Sequence, residues 1–223
     1  MTPPRHRIPF LGLKLWFPDP RQADRDGLLA AGGDLSPERL LLAYRSGIFP
    51  WTYDPITWWS PDPRAVFEIA DFHVPRRLER TLRQGSFTIT FDQAFRQVMS
   101  ACAEPRPSGE ETWISPEFID AYTELHRQGH AHSVEAWLEG RLVGGVYGVA
   151  VGGLFAGESM FHRVSNASRA ALSILMRHLQ ARGFHLFDSQ VITPATERLG
   201  VRQITRDEYL RRLAAVVDLP VSF

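Results

Sequence analysis

Two short polar groups in this chain each follow an apolar run: Glu158-Ser159, and Asp188-Ser189-Gln190. A carboxylate can take a proton or hold a cation, and an amide offers a donor and an acceptor in fixed geometry. Set at the ends of neighbouring rigid elements, such groups can orient an amine and remove its proton. Each also has a plainer reading: Glu158 as a salt-bridged surface acid, Asp188 as the cap of the next turn. The histidines suggest no metal chemistry. His130, His132 and His162 lack a third ligand at helical spacing and lie in no His-Glu-x-x-His pattern, so surface or structural roles are expected and no metal. Cys102 is the only cysteine, which excludes an internal disulfide, and its apolar helical setting reads as a buried structural thiol.

The elements that must position these groups span residues 144–190. Tyr147–Val151 and Leu154–Glu158 are β-prone runs separated by Gly152-Gly153, which predicts a tight hairpin. Ser168 then opens a helical pattern in which Ala171, Leu172, Leu175, Met176 and Leu179 recur at three- and four-residue spacing, and Gly183 closes it. A strand over His185–Gln190 follows. Upstream, strands are expected at Ala65–Ile69, Phe87–Phe91, His132–Leu138 and Leu142–Val149. Helices are expected from Ser36-Pro37-Glu38 to Gly47, after Pro75, from Asp92 through Ala101, and from Ser115-Pro116-Glu117 to Gly129. A polar loop is expected over 104–111. After Gln190 come a short helix, Thr193–Leu199, a strand, Val201–Ile204, and a final helix, Arg206–Val217.

At 223 residues, 44% hydrophobic and 22% charged, the chain is long enough for one large domain or a core domain plus a small one. No apolar run reaches the length of a membrane span, and no signal segment opens the chain, so no membrane association and a cytoplasmic setting are expected. Zero formal net charge argues against broad wrapping by nucleic acid but permits a local basic patch. The helix after Pro75 carries Arg76, Arg77, Arg80 and Arg83, and positions 76, 80 and 83 share one face. That stripe is either a solvated helix face or a contact for phosphates. Residues 1–35 read as irregular. Trp51, Trp58 and Trp59 lie among prolines, where they read partly as core and partly as a stacking platform on a Pro-stiffened loop. A domain boundary is expected near Pro61–Arg64.

Several of these segments together resemble one family. They are Gly32-Gly33-Asp34-Leu35, Gly47-Ile48-Phe49-Pro50-Trp51, Trp59-Ser60-Pro61-Asp62-Pro63-Arg64, Thr112-Trp113-Ile114 and His132-Ser133-Val134-Glu135. With them stand Gly144-Gly145-Val146-Tyr147-Gly148, Phe155 through Phe161, Asn166-Ala167-Ser168 and Asp188-Ser189-Gln190. In order and spacing the set is similar to the bacterial leucyl/phenylalanyl-tRNA–protein transferases over nearly the whole chain. The resemblance implies an α+β fold: a small N-terminal domain (1–63) and a C-terminal domain (64–223) like the acyl-CoA N-acetyltransferases, with a mixed, mostly antiparallel sheet flanked by helices. It implies transfer of Leu or Phe from aminoacyl-tRNA to the α-amine of proteins beginning with Arg or Lys, marking them for degradation. It assigns Asp188 and Gln190 as a catalytic pair and Glu158 as an acid near the acceptor amine. Trp51, Trp113 and Phe155 would surround the aminoacyl-adenosine, with Met160, Phe161 and Ser159 as further candidates for that site; Leu154, Phe155, Met160 and Phe161 are candidates for an apolar pocket that selects Leu or Phe, with plain core as the alternative for these alternating strand residues. Arg76, Arg80 and Arg83 would meet the tRNA. A monomer is expected.

The chemistry needs no cofactor, because an aminoacyl ester is already activated. The amine must lose its proton, at a pKa of about 8, and sit against the carbonyl carbon. Asp188 is expected to polarise Gln190, which orients the amine, with Asp188 or a water taking the proton; the tRNA's terminal 2′-hydroxyl is an alternative shuttle. Two rival readings remain. An acyl-CoA N-acetyltransferase would want small glycines at Arg163–Ser168 to cradle a pyrophosphate, where this chain has Asn166 and Ser168. A non-catalytic module binding RNA or peptide N-termini would not need the Asp188–Gln190 pair.

Overall fold

The computed structural model describes residues 8–74, 76–105 and 112–223. Pro75, expected to open the arginine helix, residues 1–7 and most of the loop expected over 104–111 lie outside these. The first sheet holds β1 (Phe10–Leu11), β2 (Leu28–Gly32), β3 (Phe49–Tyr53) and β4 (Ile56–Trp59) in the order β1-β2-β4-β3. Helix α1 (Pro37–Arg45) crosses between β2 and β3. The second sheet has the order β11-β5-β10-β9-β8-β7-β6, built from β5 (Arg64–Phe67), β6 (Thr88–Phe91), β7 (Ala131–Leu138), β8 (Arg141–Val151), β9 (Leu154–His162), β10 (Leu186–Gln190) and β11 (Arg202–Ile204). The fold is α+β, and every pairing in this sheet is antiparallel except β9 with β10.

Two apolar clusters sandwich the large sheet. One gathers the first sheet's Leu29 and Trp58, α1's Leu40 and Tyr44, Phe118 and Tyr122 of α4 (Pro116–Arg127), and Tyr147, Ala156 and Phe161 of β8 and β9. Val98 and Met99 of α3 (Phe95–Cys102), and Tyr209 and Leu213 of α6 (Arg206–Val216), also belong to it. The other lies under α5 (Ala167–Arg182), where Leu172, Leu175, Met176 and Leu179 meet Val146, Phe155 and Phe187. This follows from the pleat: alternate residues of β9 point to opposite faces, so Leu154 and Ala156 join the first cluster and Phe155 the second. Helix α5 makes the crossover that the parallel pair β9–β10 requires. Gly183 ends it in the left-handed conformation, as expected of a C-cap.

The structure corrects several expectations. Leu28–Gly32 is a strand within the stretch read as irregular, and the tryptophans lie on strands β3 and β4 instead of a loop. Proline argues against strands there, but β3 is the edge of its sheet, where Pro50 forfeits no ladder bond that matters. Trp58 is fully buried, and its Nε1 donates to the Gly32 carbonyl at 2.8 Å, so it is core and no platform. Asp92 does not cap α3. Its carboxylate accepts from the Ser133 amide and meets the His132 ring at 2.8 Å.

Two bulges interrupt the large sheet where its polar groups emerge. On β9, Gly157 pairs with Gly148 and Ser159 with Tyr147, which leaves Glu158 as the extra residue. On β10, Asp188 pairs with Val66 and Gln190 with Ala65, which leaves Ser189 extra. A Cβ on Gly148, facing the first bulge, would lie 2.2 Å from the Ala156 carbonyl oxygen, so glycine is what lets the strands close there. Gly148→Ala is expected to destabilise the protein by about 1–3 kcal/mol through this clash, measured as a lower denaturant midpoint at unchanged slope.

Candidate active site

The parallel ladder of β9 and β10 stops at Ala156↔Asp188, and the next residues of the two strands carry the polar groups. Glu158 and Gln190 face each other across the opening. Gln190 Nε2 donates to Glu158 Oε1 at 2.6 Å, and the Tyr44 hydroxyl donates to the same oxygen at 2.8 Å. Tyr44 also shares a short hydrogen bond with the Tyr122 hydroxyl. Glu158 and Gln190 are 9% and 8% exposed, so the pair sits at the rim of the first cluster and is not sealed inside it. Burial pushes the Glu158 carboxyl up, and the neighbouring Asp188 charge adds to this. The Tyr44 and Gln190 donors and Arg64 pull the other way, and the balance lies at about 8.

Asp188, expected to polarise Gln190, makes no hydrogen bond to the Gln190 side chain. Its Oδ1 accepts the Gln190 backbone N–H at 2.8 Å and Arg64 Nε at 2.9 Å; its Oδ2 accepts Arg64 Nη2 at 2.6 Å and the Tyr209 hydroxyl at 2.8 Å. Four donors and 1% exposure leave little of this carboxylate for a substrate proton. What it does hold is the backbone of Gln190, which sits at φ 63°, a left-handed conformation that a residue with a Cβ adopts only under constraint. Burial would lower the Arg64 pKa, but the Asp188 charge and hydrogen bonds more than offset it, so the guanidinium stays charged. Burial, then the Asp188 charge, holds the Tyr209 hydroxyl in its protonated, donating form.

The other expected residues divide between the two faces. Trp51 and Trp113 pack, half-buried, on the Glu158 side. Trp51 meets Trp59 edge to face at 5.1 Å between centroids, and Trp113 meets Phe118 at 5.2 Å. Phe161 belongs to the same cluster, and Ser159 points that way because it pairs with Tyr147. Leu154 is core on that face. Phe155 and Met160 lie on the opposite face with the α5 side chains, Phe155 against Phe187 and Phe223. The structure therefore does not bring the aromatic candidates together in one pocket wall. Helix α2 (Arg76–Arg83) packs on α5, away from Glu158. Arg76 and Arg80 are exposed there, Arg83 pairs with Glu79 at 3.2 Å, and with Gln84 these residues border a groove of about 420 Å³.

Sequence reasoning missed Arg64, Tyr44, Tyr122 and Tyr209. The tyrosines occupy apolar helical positions and read as core, which their rings are; only their hydroxyls belong to the site. Arg64 opens a strand directly after Pro63, and a lone arginine there gives no periodic signal.

The chain matches known proteins over most of its length. The family profile described as leucyl/phenylalanyl-tRNA protein transferase matches residues 66–214, and that of its N-terminal domain matches residues 33–62. A leucyl/phenylalanyl-tRNA–protein transferase of Shewanella pealeana is 53% identical over 210 residues, covering 92% of this chain and 89% of the relative. One from Chromohalobacter salexigens is 51% identical over 221 residues, covering 98% and 84%. Among solved structures, L-PGS from Bacillus licheniformis superposes with a TM-score of 0.42 at 15% identity, over 70% of this chain and 52% of its own. A GCN5-related N-acetyltransferase from Kribbella flavida gives 0.39 at 12% identity, over 72% and 58%.

Glu158 binds its proton more tightly folded than unfolded. Its contribution to stability is therefore complete below about 4.5, is lost progressively as pH rises, and is gone above about 8. Glu158→Gln keeps the shape without the titration. The melting temperature of the wild type is expected to fall relative to this variant between those two pH values, and the gap to level off above them.

Proposed function

The chain belongs to the leucyl/phenylalanyl-tRNA protein transferase family, and we propose that it moves a leucyl or phenylalanyl group from charged tRNA to the α-amine of proteins beginning with Arg or Lys. It is an aminoacyltransferase. Acting in the cytoplasm as a monomer, it would mark its acceptors for degradation. No helix among the described residues is long and apolar enough to cross a membrane.

The observation that carries the mechanism is the 2.6 Å hydrogen bond between Gln190 and a Glu158 carboxyl held at about 8. An α-amine has a similar pKa, so proton exchange between the two is nearly thermoneutral, the condition under which a general base works best at neutral pH. In this reading the acceptor enters as the ammonium, and its charge favours the carboxylate form of Glu158. Glu158 takes the proton, and the freed nitrogen attacks the ester carbonyl carbon. A C–N bond forms, the C–O bond to the terminal ribose breaks, and the ribose oxygen leaves with the proton returned from Glu158; the second proton that the nitrogen sheds as the amide forms passes to the regenerated Glu158 carboxylate and on to solvent. Gln190 orients the amine through its amide and keeps Glu158 aligned. Most of the acceleration comes from placement, since the ester is already energised; well-aligned reactants gain on the order of 7 kcal/mol or more.

The remaining residues bind. Trp51 and Trp113, exposed in part on the Glu158 side, are suited to stack on the terminal adenosine, with Ser159 and Phe161 beside them. Phe155 and Met160, under α5, are suited to wall an apolar side chain that reaches through the gap where β9 and β10 part. The α2 groove with Arg76, Arg80 and Arg83 would hold tRNA phosphates. We place the small N-terminal domain at residues 1–63 and the catalytic domain at 64–223, with Trp51 of the adenosine platform on the first and Trp113 and the proton chemistry on the second.

Transfer of labelled Phe from charged tRNA to an Arg-starting peptide tests the reading. The wild type is expected to form the product without ATP or added metal. Gln190→Ala is expected to lower the single-turnover rate by about 10²-fold or more. Transfer at the wild-type rate by Gln190→Ala would remove Gln190 from the mechanism.

A further inference from the structure

We infer that Arg64 is a positioning residue for the transfer, bracing Gln190 against the strand that carries Trp51. The inference rests on the function proposed above and extends it to residues that touch no substrate. Arg64 opens β5 and is 1% exposed. Its guanidinium edge grips both oxygens of Asp188, which in turn holds the Gln190 N–H. The remaining nitrogen, Nη1, donates to the Gly47 carbonyl at 3.2 Å. Gly47 begins the turn into β3, four residues before Trp51. The guanidinium carbon lies over the ring of Phe49, at 4.8 Å, and over that of Tyr209, at 4.4 Å, and Phe49 is itself 6.0 Å from Trp51.

One planar cation therefore touches both halves of the site. On one side it fixes, through Asp188, the left-handed Gln190 whose amide meets Glu158. On the other it fixes the strand of the aromatic platform. The amine and the ester carbonyl must meet within a few tenths of an ångström, and they are held from these two sides. Lysine cannot do this: a single ammonium offers no planar fork for two carboxylate oxygens together with a carbonyl, and it stacks poorly between two rings. A merely stabilising pair would not need these particular ends, since apolar replacements of buried ion pairs are often as stable.

The test uses the full chain, with Arg64→Lys and Tyr209→Phe, each alone and combined with Gln190→Ala. Melting curves and the fraction of sites that bind a non-hydrolysable Phe-adenosine mimic correct for loss of folded protein. With both substrates saturating, Arg64→Lys is expected to lower the single-turnover rate tenfold or more, with the acceptor KM changed less than threefold. Tyr209→Phe should give a smaller loss of the same kind. In the Gln190→Ala background Tyr209→Phe should lower the rate no further, because it acts through Gln190, and Arg64→Lys should lower it only by the part of its effect that acts through the Trp51 strand. Rates within twofold of wild type, or losses that add fully to that of Gln190→Ala, would overturn the proposal. Should Arg64→Lys not fold, Tyr209→Phe decides by the same two criteria. Failure of the functional reading is separate: it would show as a wild type that transfers nothing, or as a Gln190→Ala variant that transfers at the wild-type rate.

Discussion

The withdrawal of Glu158 from water is the constraint on which the site depends. A carboxyl at 9% exposure loses most of its hydration, and its charged form becomes costly unless donors replace the lost water. Tyr44 and Gln190 supply two donors to one oxygen, enough to keep the group titratable near neutrality and too few to fix it as a carboxylate. The groups next to it meet the needs of those donors. Gln190 reaches Glu158 only because β10 is bulged and Gln190 is left-handed. That conformation is held by Asp188, and Asp188 is tolerated at 1% exposure only because Arg64 and Tyr209 saturate it.

The two buried acids thus divide a task that the sequence seemed to give to one. Asp188 is surrounded by donors and holds the Gln190 backbone N–H. Glu158 accepts from two and, in the mechanism proposed, exchanges the amine's proton. The first sheet takes part directly, because α1 carries Tyr44 and the turn into β3 carries the Gly47 carbonyl. The two sheets accordingly share one apolar cluster, with Trp58 and Tyr44 packed in company with Tyr122, Tyr147 and Phe161.

Much of this was legible in the chain. The Gly152-Gly153 hairpin, the α5 periodicity closed by Gly183, and the strands at 131–138 and 141–151 arise from local pattern, and the structure contains them. Glu158, Asp188 and Gln190 stood out because polar groups ending apolar runs are unusual. The interior partners did not. Tyr44, Tyr122 and Tyr209 obey the apolar spacing of their helices, so pattern alone cannot reveal that their hydroxyls converge. Arg64 and Asp188 are 124 residues apart, and only strand order brings them together. The β3–β4 pair was hidden by Pro50 and Pro55, because proline is a strand breaker everywhere except at an edge. The split of Phe155 and Met160 from Phe161 was open to the alternation rule, but the bulge at Glu158 shifts the register between them.

The most direct measurement is a carboxyl carbon-13 NMR titration of the glutamate-labelled protein, with the Glu158 signal assigned by its absence in Glu158→Gln. A midpoint near 8 is expected, moving lower when an Arg-starting peptide binds and places its cation beside the carboxyl. A midpoint near the usual 4.5, unmoved by the peptide, would contradict the assignment of Glu158 as the group that receives the amine's proton.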